Sequence, residues 1–502
     1  MAMLIDGNIV PNGKVIETDL CILGAGAAGI SIATEFLNSN TSVCLIESGS
    51  FEYEAETQNL YNGEALGPGL SSESNYLNVS RLRYFGGTTN HWNGWCRPLD
   101  EHDFKKREWV SNSGWPIKRQ ELNLFYNRAC KVCEILPFDE TYEERAIKAL
   151  GRPLDLPKEI FETKSFHFSP PTRFGQKYKE VLMQASNVSV FINSNIQDIV
   201  VNETGSLVKE INVKTLTQNN FLIRAKHFVL ALGGIENARL LLISNKICKS
   251  GLGNQNDLVG RFFMEHPHVQ IGRIFLYNQK SNMNLYRYLK PESFPHHTYG
   301  LLFTSASFQE QNHLLNFSCR FEPYDVGDIN MIHRVATGTS EFDLGTKKNN
   351  LDELYYDSMI LVSEQEPNPA SRVILSDSLD ALGQPKISLE WKLTKQDYNS
   401  IWFSIKEIVR QIGLRGMGRI QLYDKEDAAF SRIWGGCHHM GTTRMCDDPS
   451  QGVVNQDCKV YNIHNLFIAG SSVFPTGGCV NPTLTIVALA LRLADHLKVL
   501  LN

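Results

Sequence analysis

Apolar and polar positions along this chain fall into two regimes. Near the N-terminus, Leu20-Cys21-Ile22-Leu23 and Val43-Cys44-Leu45-Ile46 are unbroken apolar runs. A strand buried on both faces shows no polar alternation, so each run predicts a central strand of a parallel sheet. Between them Ile30, Ala33, Phe36 and Leu37 recur at helical spacing. Residues 4–17 predict a hairpin that turns at Pro11-Asn12-Gly13. Strand patterns return at 188–192, 196–200 and 221–223. The run His227-Phe228-Val229-Leu230-Ala231-Leu232 then passes through Gly233-Gly234 into a helical stretch at 235–240. After residue 263 the regime changes. Short runs at 269–276, 301–304, 314–321, 359–362, 373–375 and 387–391 alternate with turn residues and predict an antiparallel meander.

Helical patterns complete the picture. Two of them, near 118–135 and 140–150, make 109–164 read as a lid or connecting region. Thr394 with Asp397 three residues on predicts a capped helix start, Ile401, Ile405, Ile408, Val409 and Ile412 its buried stripe, and Gly413 its end. Residues 484–491 are the most apolar segment. Arg492 and Asp495 cut the segment too short for a bilayer, so it predicts a buried helix.

A length of 502 residues exceeds one ordinary core. With no linker or internal repeat, the two regimes predict two interleaved domains. The net charge of −5 gives no electrostatic footprint for nucleic acid or an anionic membrane. Residues 1–10 lack a basic start and a long apolar run, so no targeting signal is expected. Eleven scattered cysteines suit a reducing, cytoplasmic compartment better than a disulfide scaffold. Cys130 and Cys133 form a CxxC on a helical pattern without a second pair; they read as small helix residues, and no metal site is expected.

Candidate chemistry begins at Gly24-Ala25-Gly26-Ala27-Ala28-Gly29, a GxGxxG between the first strand and its helix. Gly24 permits the tight turn, Gly26 lets a pyrophosphate approach the backbone, and Gly29 lets helix and strand pack closely. The helix N-terminus presents free N–H groups and the positive end of its dipole. Glu47 closes the second strand, where a carboxylate can accept ribose hydroxyls. This unit predicts a dinucleotide and does not choose between NAD and FAD. The loop Gly86-Gly87-Thr88-Thr89-Asn90-His91-Trp92-Asn93-Gly94-Trp95-Cys96-Arg97-Pro98 is rich in Gly, Trp and His, and predicts a segment lying over an extended cofactor. The third element is Cys437-His438-His439-Met440-Gly441-Thr442, followed by the apolar run 466–469 with Gly470-Ser471 and then Asn481-Pro482-Thr483, where a helix should begin.

On these residues the chain resembles the glucose–methanol–choline (GMC) oxidoreductases. The 86–98 loop resembles the family's second signature, and 230–240 resembles its second dinucleotide-domain crossover. His438 holds the first position of an H-x-x-G-T motif, and Asn481 the second polar position before the last helix; the Asn481-Pro482-Thr483-Leu484-Thr485 form is most similar to pyranose oxidases and related sugar-oxidising members.

The resemblance implies an α/β, Rossmann-like FAD-binding domain interleaved with an α+β substrate domain on an antiparallel sheet, a p-hydroxybenzoate hydroxylase-like architecture. The first would hold 1–108, 165–262 and 432–502, the second 263–431. It implies FAD held by Gly24, Gly26, Ala28, Gly29 and Glu47; by Gly86, Gly87, Thr88, His91, Asn93 and Gly94; by Ile196 and Gly233; and by Gly470, Ser471, Asn481, Pro482 and Thr483. Whether His91 is bonded covalently to the flavin stays open.

The implied reaction is oxidation of a small-molecule alcohol, a secondary hydroxyl of a pyranose or glycoside, with hydride passing to flavin N5 and electrons on to oxygen or a quinone-like acceptor. Imidazole titrates near neutrality, so His438 can take the hydroxyl proton; Asn481 is no base but can orient the hydroxyl. His439 has the wrong offset from Gly441 for that role. The alternatives are a non-redox lyase that keeps FAD and oxidation of a non-sugar alcohol. Residues 280–350 carry no readable motif for the substrate, and oligomeric state is open.

Overall fold

The structure, a computed structural model, describes residues 3–70, 75–139, 141–277, 283–323, 354–423 and 432–502. Much of the motif-free stretch 280–350 lies outside these residues.

The two N-terminal apolar runs form neighbouring strands, as their pattern predicts. Strands β2 (Val15–Leu23) and β3 (Val43–Ile46) pair in parallel, with Leu20 opposite Val43 and Leu23 opposite Ile46. Helix α1 (Ala27–Glu35) connects them. On one side β3 pairs with β7 (Val188–Ile192), and β7 with β1 (Met3–Asp6). On the other side β2 pairs with β10 (Asn220–Leu230), which pairs in parallel with β19 (Leu466–Ile468). Strands β9 (Val208–Lys214) and β8 (Asn195–Val201) continue the sheet antiparallel.

The expected hairpin at 4–17 does not form. Its turn exists, with Gly13 at φ +74° and the Lys14 N–H donated to the Pro11 carbonyl at 3.0 Å. Its arms part because β3 and β10 already occupy both flanks of β2, which leaves β1 the edge beside β7.

The second sheet is antiparallel. Its order runs β17 (Gly418–Leu422), β11 (Pro267–Tyr277), β14 (Leu354–Ser363), β13 (Phe317–Pro323), β12 (Thr298–Thr304), β6 (Phe161–Phe168), β5 (Trp95–Cys96), with β18 (Ile433–Gly435) also on β11. Three successive strands, β12 to β14, meander as expected. The strands near 373 and 387 do not join them. Strands β15 (Arg372–Leu379) and β16 (Pro385–Glu390) pair with β4 (Glu64–Leu66) in a separate small sheet. Pairing with β4 takes that hairpin out of the meander, and Arg239, on α4 (Gly233–Ile243), fastens it by meeting Asp380 at 2.7 Å and donating to the Pro385 carbonyl at 2.9 Å. Because β5 and β6 precede residue 263, the chain enters the second sheet more than once.

Between 109 and 164, helices α2 (Asn123–Val132) and α3 (Tyr142–Leu150) form where expected. Helix α2 is fastened to the C-terminal helix α6 (Thr483–Leu501) by Tyr126 to Thr485 at 2.8 Å and Arg128 to Asp495 at 2.6 Å. Cys130 and Cys133 are buried free thiols at the end of α2. Helix α5 (Lys395–Leu414) begins in the expected box: Thr394 Oγ1 accepts the Asp397 N–H, and Asp397 accepts the Thr394 N–H at 2.6 Å. It runs one residue past Gly413. Among the described residues, no helix is long and apolar enough to cross a membrane.

One buried ion pair ties the segment after β5 to the end of β14. Arg107 Nη1 donates to Glu364 Oε2 at 2.7 Å, with both side chains sealed from solvent. Removing one partner leaves the other charge uncompensated, which costs on the order of 3–5 kcal/mol. Glu364→Gln should therefore lower the thermal unfolding midpoint clearly, measured by calorimetry, whereas an exposed pair such as Lys105–Glu101 should be nearly silent.

Candidate active site

A cavity of about 520 Å³ lies between the parallel sheet's glycine turns and one face of the antiparallel sheet. The three glycines of the first turn do separate jobs there. Gly24 has φ +105°, and a Cβ on it would stand 2.6 Å from the Ala231 carbonyl oxygen. Gly26 opens onto the cavity, with no atom within 4 Å of where its Cβ would be. A Cβ on Gly29 would fall 1.9 Å from the Gly24 carbonyl oxygen, so that position is closed by helix–strand packing.

The other expected cofactor residues divide in the same way. Ala28, Gly87, Thr88, His91, Asn93 and Gly94 border the cavity, as do Ile196 from β8 and Gly233 at the second turn. Gly86 and Gly29 do not border it. Gly86, at φ +98°, is pressed against Gly175, so both glycines shape backbone that others present. Glu47 borders the cavity but uses its carboxylate to brace the turn, accepting the Ala25 N–H at 3.1 Å and the Gly49 N–H at 3.0 Å.

At the far end, Gly470 faces open space, and Ser471 donates to the His439 carbonyl at 2.6 Å. Pro482 is the N-cap of α6 and Thr483 its first residue, so the proline stands one step before the helical turn expected to hold it. The N-terminus of α6 nevertheless borders the cavity through Asn481, Pro482 and Thr483.

The lining suits an extended, polar dinucleotide. Donor atoms of Arg83 (Nε), Asn195 (Nδ2) and Gln197 (Nε2), residues that border the cavity, are buried without a partner among the described residues. Buried donors without acceptors are costly, and a ribose, phosphate or base edge would supply acceptors. Above them Arg81 and Arg83 converge on Glu236 at 2.9 and 3.5 Å.

The two polar positions of the C-terminal segment meet at the other end. His438 Nε2 lies 3.0 Å from Asn481 Nδ2, and His438 Nδ1 lies 2.8 Å from His266 Nδ1. Burial, reinforced by the neighbouring His266 and His268, holds the His438 imidazole well below its usual pKa. It is therefore neutral and keeps a lone pair through the physiological range. His439 turns the other way, with Nε2 3.0 Å from the Tyr76 hydroxyl and 3.4 Å from Glu265.

Glu265 organises this corner and was not among the expected residues. Its Oε2 accepts the His438 backbone N–H at 2.8 Å, and its Oε1 accepts from the Tyr76 hydroxyl. The signal was present: Glu265-His266-Pro267-His268 puts three ionisable groups at the head of an otherwise apolar strand. Burial raises the Glu265 pKa from 4.5 to about 7. The folded state thus binds this proton more tightly than the unfolded one, and the group's contribution to stability falls as pH rises from about 4.5 to 7. Glu265→Gln lacks that titration. Melting curves at pH 5 and pH 8 should show the wild type losing ground to the variant across the interval.

The sheet opposite the glycine turns contributes a row of side chains in register. His268 pairs with Val362 across β11 and β14, and Val362 with Ser318 across β14 and β13. All three border the cavity, with Arg320 two residues beyond Ser318 and Trp95 from β5 alongside. The His268 Nε2 and Ser318 Oγ atoms are buried without partners among the described residues, so this face holds unmet polar capacity on the wall that Trp95 shares.

Residues 367–490 match the family model "GMC oxidoreductase". A 2-methyl-1,2-propanediol dehydrogenase of Mycolicibacterium austroafricanum is 22% identical over 96% of this chain and 95% of its own length. A pyranose 2-oxidase of Tricholoma matsutake is 24% identical over 82% of this chain and 72% of its own. Among solved structures, the pyridoxine 4-oxidase from Mesorbium loti superimposes with a TM-score of 0.60, covering 96% of this chain and 99% of that one at 16% identity; this likeness is one of fold. With the glycine turns, the cavity and the paired polar residues in place, residues 367–490 carry a GMC oxidoreductase domain, and the chain is an oxidoreductase whose cofactor is FAD.

Proposed function

We propose that the protein oxidises a secondary hydroxyl of a pyranose sugar or glycoside to a carbonyl, with His438 as the base and Asn481 as the orienting partner. The observation that carries this reading is the 3.0 Å approach of His438 Nε2 to the Asn481 amide beside the glycine-lined cavity. FAD, when bound, supplies the acceptor for the hydride that leaves the carbon.

The chain's own residues do the rest. The neutral His438 takes the hydroxyl proton on Nε2. As the hydroxyl enters between them, Asn481 Nδ2 moves its donation from His438 Nε2 to the substrate oxygen and turns the substrate C–H toward the glycine-lined part of the cavity. The N-terminus of α6 adds positive dipole where negative charge gathers. Glu265 holds His438 by its backbone, so the ring does not drift as substrate enters.

A sugar suits the opposite wall. Trp95 offers an apolar face to a pyranose ring, while Ser318, His268 and Arg320 offer partners to its hydroxyls. The likeness to a pyranose 2-oxidase supports the same class. In this reading 1–108, 165–262 and 432–502 form the FAD domain and 263–431 the substrate domain, with 109–164 the connecting region; β5, β6 and β18 reach across from those segments into the second sheet. Turnover ends with oxygen or a quinone as acceptor. Eleven scattered cysteines suit a reducing, cytoplasmic setting.

The test is anaerobic mixing of the purified yellow enzyme with pyranoses, glycosides and short diols. Bleaching of the flavin by a pyranose or glycoside is the expected result. Bleaching by diols alone would move the substrate to non-sugar alcohols. Lasting yellow colour with every alcohol would overturn the proposal and favour a non-redox lyase.

A further inference from the structure

The His438 ring has two nitrogens, and only one of its two neutral tautomers is a base toward the cavity. The lone pair must be on Nε2, which requires the proton on Nδ1. Something must enforce that choice, because the two tautomers differ little in free imidazole. In many enzymes a carboxylate behind the ring does so. Here the atom behind Nδ1 belongs to another imidazole, His266, at 2.8 Å.

The proton positions can be worked out from the backbone end. His266 Nε2 faces the Gly477 carbonyl oxygen at 3.4 Å, and a carbonyl can only accept. The His266 proton is therefore on Nε2, and its Nδ1 carries the lone pair. That lone pair faces His438 Nδ1, which must then be the protonated nitrogen of its ring. The His438 lone pair is left on Nε2. The Asn481 side is consistent with this, since its Nδ2 donates and meets Nε2 at 3.0 Å. Gly477 to His266 to His438 to Asn481 is thus one directed chain with every proton assigned.

We propose that His266 is a positioning residue that selects the catalytic tautomer of His438 by accepting the proton of its Nδ1–H.

Two features of the surroundings make His266 fit for this. It is fully buried in the residue just before β11, in a fold position separate from the base, so its ring plane is set by the packing at the strand's head and not by substrate. Burial also keeps its pKa near 4, so it stays neutral and keeps its acceptor lone pair. A protonated His266 would present N–H to Nδ1 and turn His438 round, placing a proton on the nitrogen that must receive one. When Nε2 takes the substrate proton, the His438 ring becomes cationic. Its Nδ1–H bond to His266 then becomes charge-assisted, which favours the protonated state at the moment it forms. The proton on His266 Nε2 stays on the Gly477 carbonyl side throughout, so nothing leaves the chain by that route.

The inference rests on His438 being the base, and the test separates the two. Histidine-selective ¹⁵N labelling of the FAD-loaded enzyme reads the tautomer of each ring without any turnover. The expected signature for His438, assigned by its loss in His438→Gln, is a protonated Nδ1 and an unprotonated Nε2. His266→Leu removes the acceptor; it should bring an Nε2-protonated population of His438 and slow anaerobic flavin reduction about 100-fold, with flavin content retained. His266→Gln can accept with its carbonyl and donate to Gly477 with its amide, so it should recover most of both losses. An Nε2-protonated His438 in the wild type would overturn the inference, as would a His266→Leu enzyme with unchanged tautomer and rate. Should His266→Leu fail to fold, the wild-type spectrum still decides. Fast flavin reduction in His438→Gln would instead defeat the base assignment and leave the tautomer result standing by itself.

Discussion

Replacing His438 by alanine should slow anaerobic reduction of the flavin by substrate about 10³-fold, within the range general bases contribute, while leaving the protein yellow and folded. The ring makes its polar contacts with Asn481 and His266. The bond from this residue to Glu265 uses the backbone N–H, which alanine keeps. Stopped-flow absorbance would separate this loss from a binding defect: the limiting rate should fall while the substrate dependence changes little. The pH profile carries a second expectation. Burial and the adjacent His266 and His268 hold His438 well below 6.5. The working form is the neutral one, so the wild-type rate should stay level as pH falls through 6.5 and drop only on the more acid side. A break at the ordinary imidazole pKa would contradict the burial argument.

Gly26→Val should yield a folded protein without flavin. No atom lies within 4 Å of the position a Cβ would take, and Gly26 has extended backbone angles of φ −86° and ψ −167° that any residue adopts. The new side chain would project into the space where the pyrophosphate must approach the N-terminus of α1. Flavin absorbance per polypeptide should fall below about one tenth of wild type, while the circular dichroism spectrum is unchanged. Gly29→Val is the informative contrast. Its Cβ would stand 1.9 Å from the Gly24 carbonyl oxygen, so the loss should appear as poor folding. Two glycines three residues apart in one motif thus fail in different ways, one by excluding the cofactor and one by forcing strand from helix.

Local patterns carried much of the architecture. The strands at 20–23 and 43–46 were readable because burial on both faces leaves no polar alternation, and the capping box at Thr394 because its hydrogen bonds span three residues. The glycine turns were readable because each demands a conformation or a closeness that other residues resist. The C-terminal segment named His438 and Asn481, and they meet. Expectations failed where neighbours in sequence compete with partners from elsewhere. The turn at Pro11-Asn12-Gly13 formed without its hairpin, since β3 and β10 had taken both sides of β2. The runs near 373 and 387 left the meander for β4.

What the chain states in its own order is which segments are buried, where the backbone bends, and which side chains have chemistry to offer. What only the tertiary structure decided is the company those side chains keep. His266 and His438 stand 172 residues apart, and Tyr76 and His439 stand 363 apart. Patterning sets which side of an element faces inward, but the identity of the atom met there depends on how two sheets, each entered more than once by the chain, are laid against each other. The direction of the proton on His438 belongs to that second kind of information, since it begins at a backbone carbonyl of Gly477 that no sequence pattern marks.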